Sequence, residues 1–201
     1  HGKFRRQRQM CIRDRKKGSN IIGLLNPYDN QKSFDHFKNR SLNAFSMELV
    51  PRITRAQSMD VLSSQANLSG YRAIITATSL YSKSMAMMMT AAGTVAPAKV
   101  FVMGVGVAGL QAIATAKRLG AVVSATDVRR AAAEQCESLG ASFIMVETED
   151  DAEDETGYAK EMSDEYKEKQ RQLISNHVKQ QDIIICSALI PVSYTHLRAH
   201  E

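Results

Sequence analysis

The chain of 201 residues has few cysteines and no long apolar run. Its three cysteines, Cys11, Cys136 and Cys186, lack C-x-x-C spacing, which indicates a reducing compartment and argues against a metal site. Because no stretch of about 18 uncharged apolar residues occurs, we expect no segment to span a membrane. The basic start is not followed by the apolar stretch of a secretory signal peptide.

An excess of positive charge is also missing from the body of the chain. The net charge is +5, but residues 1–17 hold eight of the 26 Lys and Arg residues, and residues 18–191 contain 17 basic and 19 acidic side chains. We therefore expect no nucleic-acid-binding surface. Met10–Arg15 and Val192–Glu201 resemble translated sequencing-adaptor DNA, so we expect residues 1–17 and 192–201 to be foreign or disordered tails outside the fold.

The most informative motif is Gly104-Val-Gly106-Val-Ala-Gly109, which follows a predicted strand at 99–103 and opens a predicted helix at 107–119. In such a turn the first glycine leaves the strand tightly, the second lets the backbone approach a pyrophosphate, and the third lets the helix pack on the sheet. The amides at the start of the helix would face the phosphates. The motif predicts a dinucleotide-binding site.

Asp127 follows the next predicted strand, 122–126, and lies 18 residues beyond Gly109. An acidic side chain there accepts hydrogen bonds from ribose hydroxyls. A carboxylate about 5 Å from an adenosine 2′-phosphate would cost on the order of 3 kcal/mol, roughly a hundredfold in affinity, which favours NAD over NADP. Arg129 and Arg130 leave NADP open, because an arginine in this region accommodates the 2′-phosphate in other proteins of this fold.

The remaining pattern predicts two α/β segments. In residues 21–50 the pattern predicts a strand, a helix and a strand, at 21–25, 33–39 and 44–50. Residues 61–92 are predicted to be helical, with a break near Gly70. The helix core or packing surface would contain Met85, Met87, Met88 and Met89. From residue 99 onward strands and helices alternate, which predicts a parallel sheet. After the strand at 122–126, the predicted elements are a helix at 129–139, a strand at 142–146, a helix at 157–180 and a strand at 182–186.

Two further segments bear on a site. Residues 147–155 hold seven carboxylates in nine positions, which predicts a solvated loop or a lid. The segment Ser187–Leu189 follows the last predicted strand. Because ligands bind at the carboxyl ends of parallel strands, we expect it to share one crevice with the Gly104 turn and Asp127.

Several strings make residues 18–191 resemble the NAD(H)-binding component, domain I of the alpha subunit, of proton-translocating nicotinamide nucleotide transhydrogenase. They are Pro51–Ser64, Gly70–Ala73, Met88–Thr94, Gly104–Leu110, Ala125–Arg129, Gly157–Lys160 and Ala188–Pro191. The resemblance implies an α/β fold, with a Rossmann-type parallel-sheet domain at 98–191 preceded by the C-terminal part of a second α/β domain at 18–64. Connecting helices would fill 65–97.

The resemblance also implies a set of site residues. The loop that holds the nicotinamide and its ribose would comprise Arg52, Gln57, Asp60 and Ser63, although Arg52 and Asp60 could instead form only a structural ion pair. The pyrophosphate would lie on Gly104, Gly106, Val107, Ala108 and Gly109, and the adenosine ribose on Asp127, Val128 and Arg129. A mobile loop would carry Gly157 and Tyr158, and the pocket would be completed by Gln170, Ser187, Ala188 and Leu189.

The implied reaction is direct hydride transfer between NAD(H) bound here and NADP(H) on a partner domain, coupled to proton passage through a membrane domain. Such a reaction needs positioning rather than an acid or base, which agrees with the lack of a His/Asp or Cys/His constellation. We expect His36 and His177 to be surface residues.

A homodimer, seated peripherally on the cytoplasmic or matrix side of the membrane through its partner domains, is also implied. We expect the chain to be a fragment, inactive alone, because it lacks the start of the first domain and ends where the family continues. An alanine-dehydrogenase-type enzyme and a binding-only NAD-sensing module stay open as alternatives.

Overall fold

The computed structural model describes residues 15–51, 53–146 and 164–188, with only the backbone described at 164–167. The predictions for Arg52, the acidic segment 147–155, Gly157, Tyr158 and Leu189, and for most of the two tails, lie outside these residues. The chain divides into two compact units, residues 1–64 and 65–201, which are described separately. No helix in the described ranges is both long enough and apolar enough to cross a bilayer.

The first unit contains the predicted strand, helix and strand. Strand β1 (Asn20–Gly23), helix α1 (Gln31–Asn39) and strand β2 (Asn43–Ser46) form a βαβ fragment in which the two strands pair in parallel. Strand β2 is shorter than predicted because the chain turns into short 3-10 helices at Met47–Leu49 and Thr54–Met59. The Glu48 carboxylate stabilises this turn, since it accepts the N–H groups of Leu25 and Asn26 at 3.2 and 2.7 Å.

Helix α2 (Val61–Leu80) is continuous, so the predicted break near Gly70 is wrong. Gly70 is buried, and a Cβ on it would lie 2.0 Å from the carbonyl oxygen of Ala108. The glycine therefore serves a close approach of backbones rather than a break in the helix.

The helix does not extend to residue 92, because a hairpin of β3 (Met88–Thr90) and β4 (Gly93–Val95) follows it. Segment 65–97 thus holds one helix and a hairpin. Gly93, with φ of +125°, makes a turn that other residues rarely adopt. Helix core is the wrong assignment for the methionines: Met85 packs in the sheet core, whereas the other three are exposed, at Met87, Met88 and Met89.

The second unit is built on a four-stranded parallel sheet. Its elements are β5 (Lys99–Met103), α3 (Val107–Arg118), β6 (Val122–Thr126), α4 (Ala132–Ser138), β7 (Ser142–Phe143), α5 (Asp164–Val178) and β8 (Ile183–Cys186). The strand order is β7-β6-β5-β8, which is 3-2-1-4 when the four strands of this sheet are numbered along the chain, and this is the order of a Rossmann-type sheet. The predicted α/β fold is confirmed, although α4 and β7 are shorter than expected.

The core surrounds the central strand β5. Val100, Phe101 and Val102 have no exposed surface, and neither do Ala112 and Ile113 on the inner face of α3. Val100, Val102 and Ile113 belong to one buried cluster, and each such aliphatic side chain contributes about 1.5–3 kcal/mol when fully buried, so this packing holds α3, and the turn before it, on the sheet.

Both histidines of the body are half-buried, so the prediction of surface positions is wrong. The His177 ring packs edge-on against Phe101, with ring centroids 4.8 Å apart, and its Nε2 lies 2.7 Å from the Ser124 hydroxyl. His177 belongs to the inner face of α5 because it follows Leu173 and Ile174 at helical spacing. Burial lowers its pKa below the ordinary value of 6.5.

Candidate nucleotide-binding site

The candidate site is the carboxyl edge of the sheet, where β5 and β8 lie side by side. From β5 the chain moves to β6 and β7 on one side, and it then returns to β8 on the other. This reversal is the topological switch point at which open α/β sheets bind their ligands. Gly104 follows β5, and Ser187 follows β8. Ser187 N–H donates to the Met103 carbonyl at 2.8 Å, so the two strand ends are tied together.

Two glycines of the turn are required by the protein itself. Gly104 has φ of +96°, and a Cβ on it would lie 2.7 Å from the Ala188 amide nitrogen. A Cβ on Gly109 would lie 1.8 Å from the Gly104 carbonyl oxygen, because the first turn of α3 presses directly on the Gly-rich loop. Any side chain at either position would force backbone to move.

Gly106 is different. Its φ of −82° is open to every residue, and no atom lies within 4 Å of where its Cβ would be. It is the N-cap of α3, it makes no side-chain cap, and the first turn of the helix has no acidic residue. Gly106 and Val107 are exposed, and Ala108 is half-buried. The positive end of the helix therefore lies beside open space at Gly106.

Asp127 closes the other side of the turn. Its side chain is 8% exposed, and its Oδ2 accepts the Val105 N–H at 2.7 Å. Arg129 donates its backbone N–H to Oδ1 at 2.9 Å and its Nε to the same oxygen at 3.1 Å. Burial alone would raise the pKa of Asp127, but the hydrogen bonds from Arg129 and Val105 lower it, so the group is a carboxylate at neutral pH. Val128 beside it is half-buried.

The predicted nicotinamide-loop residues lie in the first unit and at the start of α2. Asp60 caps this helix, since its two carboxylate oxygens accept the Ser63 N–H at 2.9 Å and the Ser63 hydroxyl at 2.7 Å. Gln57 is exposed in the 3-10 helix Thr54–Met59. These contacts show that Asp60 and Ser63 cap the helix. Cofactor binding by Gln57, Asp60 and Ser63 stays a prediction. Gln170 is half-buried on α5.

The structure adds residues that sequence reasoning misses. Val105 is not among the predicted site residues, yet its buried N–H holds Asp127. Its only sequence signal is its place between two glycines of the turn. Gly70 is predicted only as a helix breaker, although its contact with Ala108 supports the first turn of α3.

Comparison with known proteins agrees with this geometry. The family model for the alanine dehydrogenase/PNT C-terminal domain matches residues 73–196, and the model for the N-terminal domain of the same family matches residues 5–69. The chain belongs to the alanine dehydrogenase/PNT family. The family resemblance inferred from the sequence strings is thereby confirmed.

Relatives within the family are named as transhydrogenases. The chain is 53% identical over 176 residues to the first part of the NAD(P) transhydrogenase alpha subunit of Rickettsia prowazekii and 54% identical over 178 residues to that of Rhodospirillum rubrum. Each match covers 88% of this chain and 46% of the relative, so the chain spans just under half the length of these relatives.

Solved structures give the same result. The crystal structure of transhydrogenase from Sinorhizobium meliloti matches 90% of this chain and 48% of its own, with a TM-score of 0.78 and 55% identity. A structure of L-alanine dehydrogenase matches 64% of this chain and 37% of its own, with a TM-score of 0.50 and 18% identity, which shows a shared fold alone.

Proposed function

We propose that this chain binds NAD(H) in the crevice between β5 and β8, as the NAD(H)-binding component of a proton-translocating transhydrogenase. The observation that carries the proposal is Gly106. Its backbone conformation does not need glycine, and neither does the surrounding protein, because no atom lies within 4 Å of a Cβ there. A pyrophosphate that approaches the backbone at the positive end of α3 would explain why this position is a glycine.

The choice of NAD(H) over NADP(H) is supported by the charge at Asp127. The carboxylate is ionised and buried, and the Arg129 guanidinium lies against it. A 2′-phosphate placed here would meet a negative charge at short range, and the Arg129 guanidinium is already paired with that carboxylate. The two hydroxyls of an unphosphorylated ribose, by contrast, are donors that match a carboxylate.

The proposed reaction is hydride transfer between NAD(H) here and NADP(H) held by a partner domain. The nicotinamide carries the hydride when bound, and the chain contributes positioning. Arg52, Gln57, Asp60 and Ser63 would hold the nicotinamide and its ribose. Gln57 suits this function because its exposed carboxamide can donate and accept hydrogen bonds, while the Asp60–Ser63 cap fixes the loop where it enters α2.

The remaining proposed contacts and partners follow the family. The pocket would be completed by Val107, Ala108, Val128, Gly157, Tyr158, Gln170, Ala188 and Leu189. The relatives are named as the first part of an alpha subunit, which implies further parts in those proteins. We propose that this chain likewise works with a membrane domain and an NADP-binding domain, as a homodimer seated peripherally on the cytoplasmic or matrix side of the membrane.

Calorimetric titration of the 201-residue chain with NADH and NADPH tests the binding step. We expect NADH to bind and NADPH to bind at least about tenfold more weakly, given the charge at Asp127. Adding the partner NADP-binding domain with an NADP analogue should then produce hydride transfer, followed by absorbance. Turnover of NADH with pyruvate and ammonia in the absence of the partner would instead indicate an alanine dehydrogenase. Tight NADH binding without transfer to any acceptor would indicate a sensor.

A further inference from the structure

The peptide that joins Gly104 to Val105 is held at both ends. Its carbonyl oxygen accepts the Ser187 hydroxyl at 2.9 Å, and its N–H donates to Asp127 Oδ2 at 2.7 Å. Ser187 follows β8, and Asp127 follows β6, so the clamp joins the strands on the two sides of β5 through the loop between them.

A clamp of this kind fixes the direction of the peptide plane. The carbonyl and the N–H of a trans peptide point in opposite directions, so a donor on one side and an acceptor on the other select one of the two orientations. The plane would turn about ψ of Gly104 and φ of Val105, and Gly104, which has no Cβ, restricts its own ψ least of all residues. The Gly104 carbonyl also lies under Gly109, in the position that leaves no space for a Cβ.

We infer that Ser187 is a positioning residue that acts on cofactor binding through the Gly104–Val105 peptide. The inference rests on the proposed function. The sequence places Ser187 among the residues that contact the cofactor, whereas its hydroxyl donates to the protein backbone. With the clamp in place the Gly104 carbonyl is bonded to Ser187, and the next amides, at Gly106 and Val107, start α3 with N–H groups that phosphate oxygens could accept.

Loss of the hydroxyl removes the donor on one side of the clamp. A turned peptide would take the Val105 N–H away from Asp127 and would bring a carbonyl oxygen toward the phosphates, where two partial negative charges repel. For Ser187→Ala we expect NADH to bind about five- to tenfold more weakly, as is typical for the loss of one neutral hydrogen bond. Ser187→Thr keeps the hydroxyl and should bind NADH within about twofold of the unaltered chain, and Ser187→Cys, a weaker donor, should lie between them.

Two measurements separate positioning from general damage. NADH affinity is measured by calorimetry, and the Val105 amide is followed by ¹H–¹⁵N NMR without cofactor, where its bond to a carboxylate gives it a downfield shift and slow exchange. Ser187→Ala should move this resonance upfield and speed its exchange, and Ser187→Thr should restore it. Ser138→Ala is the matched control, because it removes an exposed hydroxyl that donates to the Gln135 carbonyl of its own helix at 2.8 Å.

The outcomes decide the inference. Unchanged NADH affinity in Ser187→Ala would overturn it. Weaker binding with an unmoved Val105 amide would also overturn it, since Ser187 would then contact the cofactor itself. If the unaltered chain bound no NADH, the proposed function would fail, but the shift and exchange of the Val105 amide would still test the clamp.

Discussion

Replacing Gly106 by alanine tests whether the glycine is needed for cofactor binding rather than for folding. The added methyl group meets no protein atom within 4 Å, and φ of −82° suits alanine. Alanine is a poorer N-cap than glycine by up to about 1 kcal/mol, while a smaller loss of backbone entropy on folding returns about 0.4–1 kcal/mol. The two effects oppose each other, so the free energy of unfolding should change by no more than about 1 kcal/mol.

Cofactor affinity should respond much more strongly. The methyl group would stand where the pyrophosphate approaches the start of α3, and it would displace one or two hydrogen bonds from backbone N–H groups to charged oxygens. Each such bond contributes about 1.5–3 kcal/mol, so a loss of about 2–3 kcal/mol, or roughly 30- to 150-fold in the Kd for NADH, is expected. Calorimetric titration gives the affinity, and urea unfolding gives the stability.

Gly109→Ala is the matched control within the same motif. Its Cβ would lie 1.8 Å from the Gly104 carbonyl oxygen, so this variant should lose about 3 kcal/mol or more of stability. If Gly106→Ala bound NADH within about twofold of the unaltered chain, the pyrophosphate would not lie at this turn, and the assignment of the crevice would be refuted.

Four further predictions rest on single residues. Gly70→Ala should destabilise the chain by about 1–3 kcal/mol in urea unfolding, since its Cβ would lie 2.0 Å from a carbonyl oxygen. Asp127→Ala should weaken NADH binding and reduce discrimination against NADPH in calorimetry; unchanged affinities for both would contradict the ribose assignment. Burial lowers the pKa of His177 in the folded chain, so the neutral ring's contribution to the free energy of unfolding is complete above pH 6.5 and is lost as the pH falls through the pKa of the folded state. Urea unfolding midpoints measured against pH should show this decline, and the decline should be smaller in His177→Gln. Burial raises the pKa of Glu48, but hydrogen bonds from Ser46 and Asn26 outweigh this effect and set the pKa at about 2. The ionised Glu48 therefore contributes to the free energy of unfolding above pH 4.5, and this contribution should be lost as the pH falls toward 2. Urea unfolding of Glu48→Gln should not show this loss.

Local signals predict most of the sheet unit. The sequence defines strands β5 and β6 to within a residue of their true bounds because apolar runs, a Gly-rich turn and an intervening helical pattern all agree there. The β3–β4 hairpin escapes prediction because methionine and alanine are good helix formers, and only Gly93 signals the turn.

Other features depend on contacts that no local pattern contains. Isolated glycines often break helices, which is why the sequence predicts a break at Gly70, but the reason for this glycine lies at Ala108, 38 positions along the chain. Residue type assigns His177 to the surface, although its spacing from Leu173 and Ile174 places it on the inner face of α5. Asp127 is predicted as a candidate site residue from its sequence distance to the turn, whereas its bond to Val105 can be learned only from the fold.

Asp127 has two functions: its carboxylate holds the Gly-rich turn, and it is proposed to accept hydrogen bonds from the ribose. A carboxylate has about four acceptor positions, and here it receives the Val105 N–H at 2.7 Å, the Arg129 N–H at 2.9 Å, and the Arg129 Nε and Nη2 at 3.1 and 3.3 Å. Ribose hydroxyls must therefore replace a present donor. The backbone bonds are the shorter ones, and the bond to Val105 also orients the Gly-rich turn. The bond from Arg129 Nη2 is the longest, at 3.3 Å, so we expect a ribose hydroxyl to replace this one bond while the Arg129 backbone N–H and Nε stay on Oδ1. In the proposed complex the same carboxylate can then accept from ribose while its bond to the Val105 N–H keeps the Gly-rich turn in place.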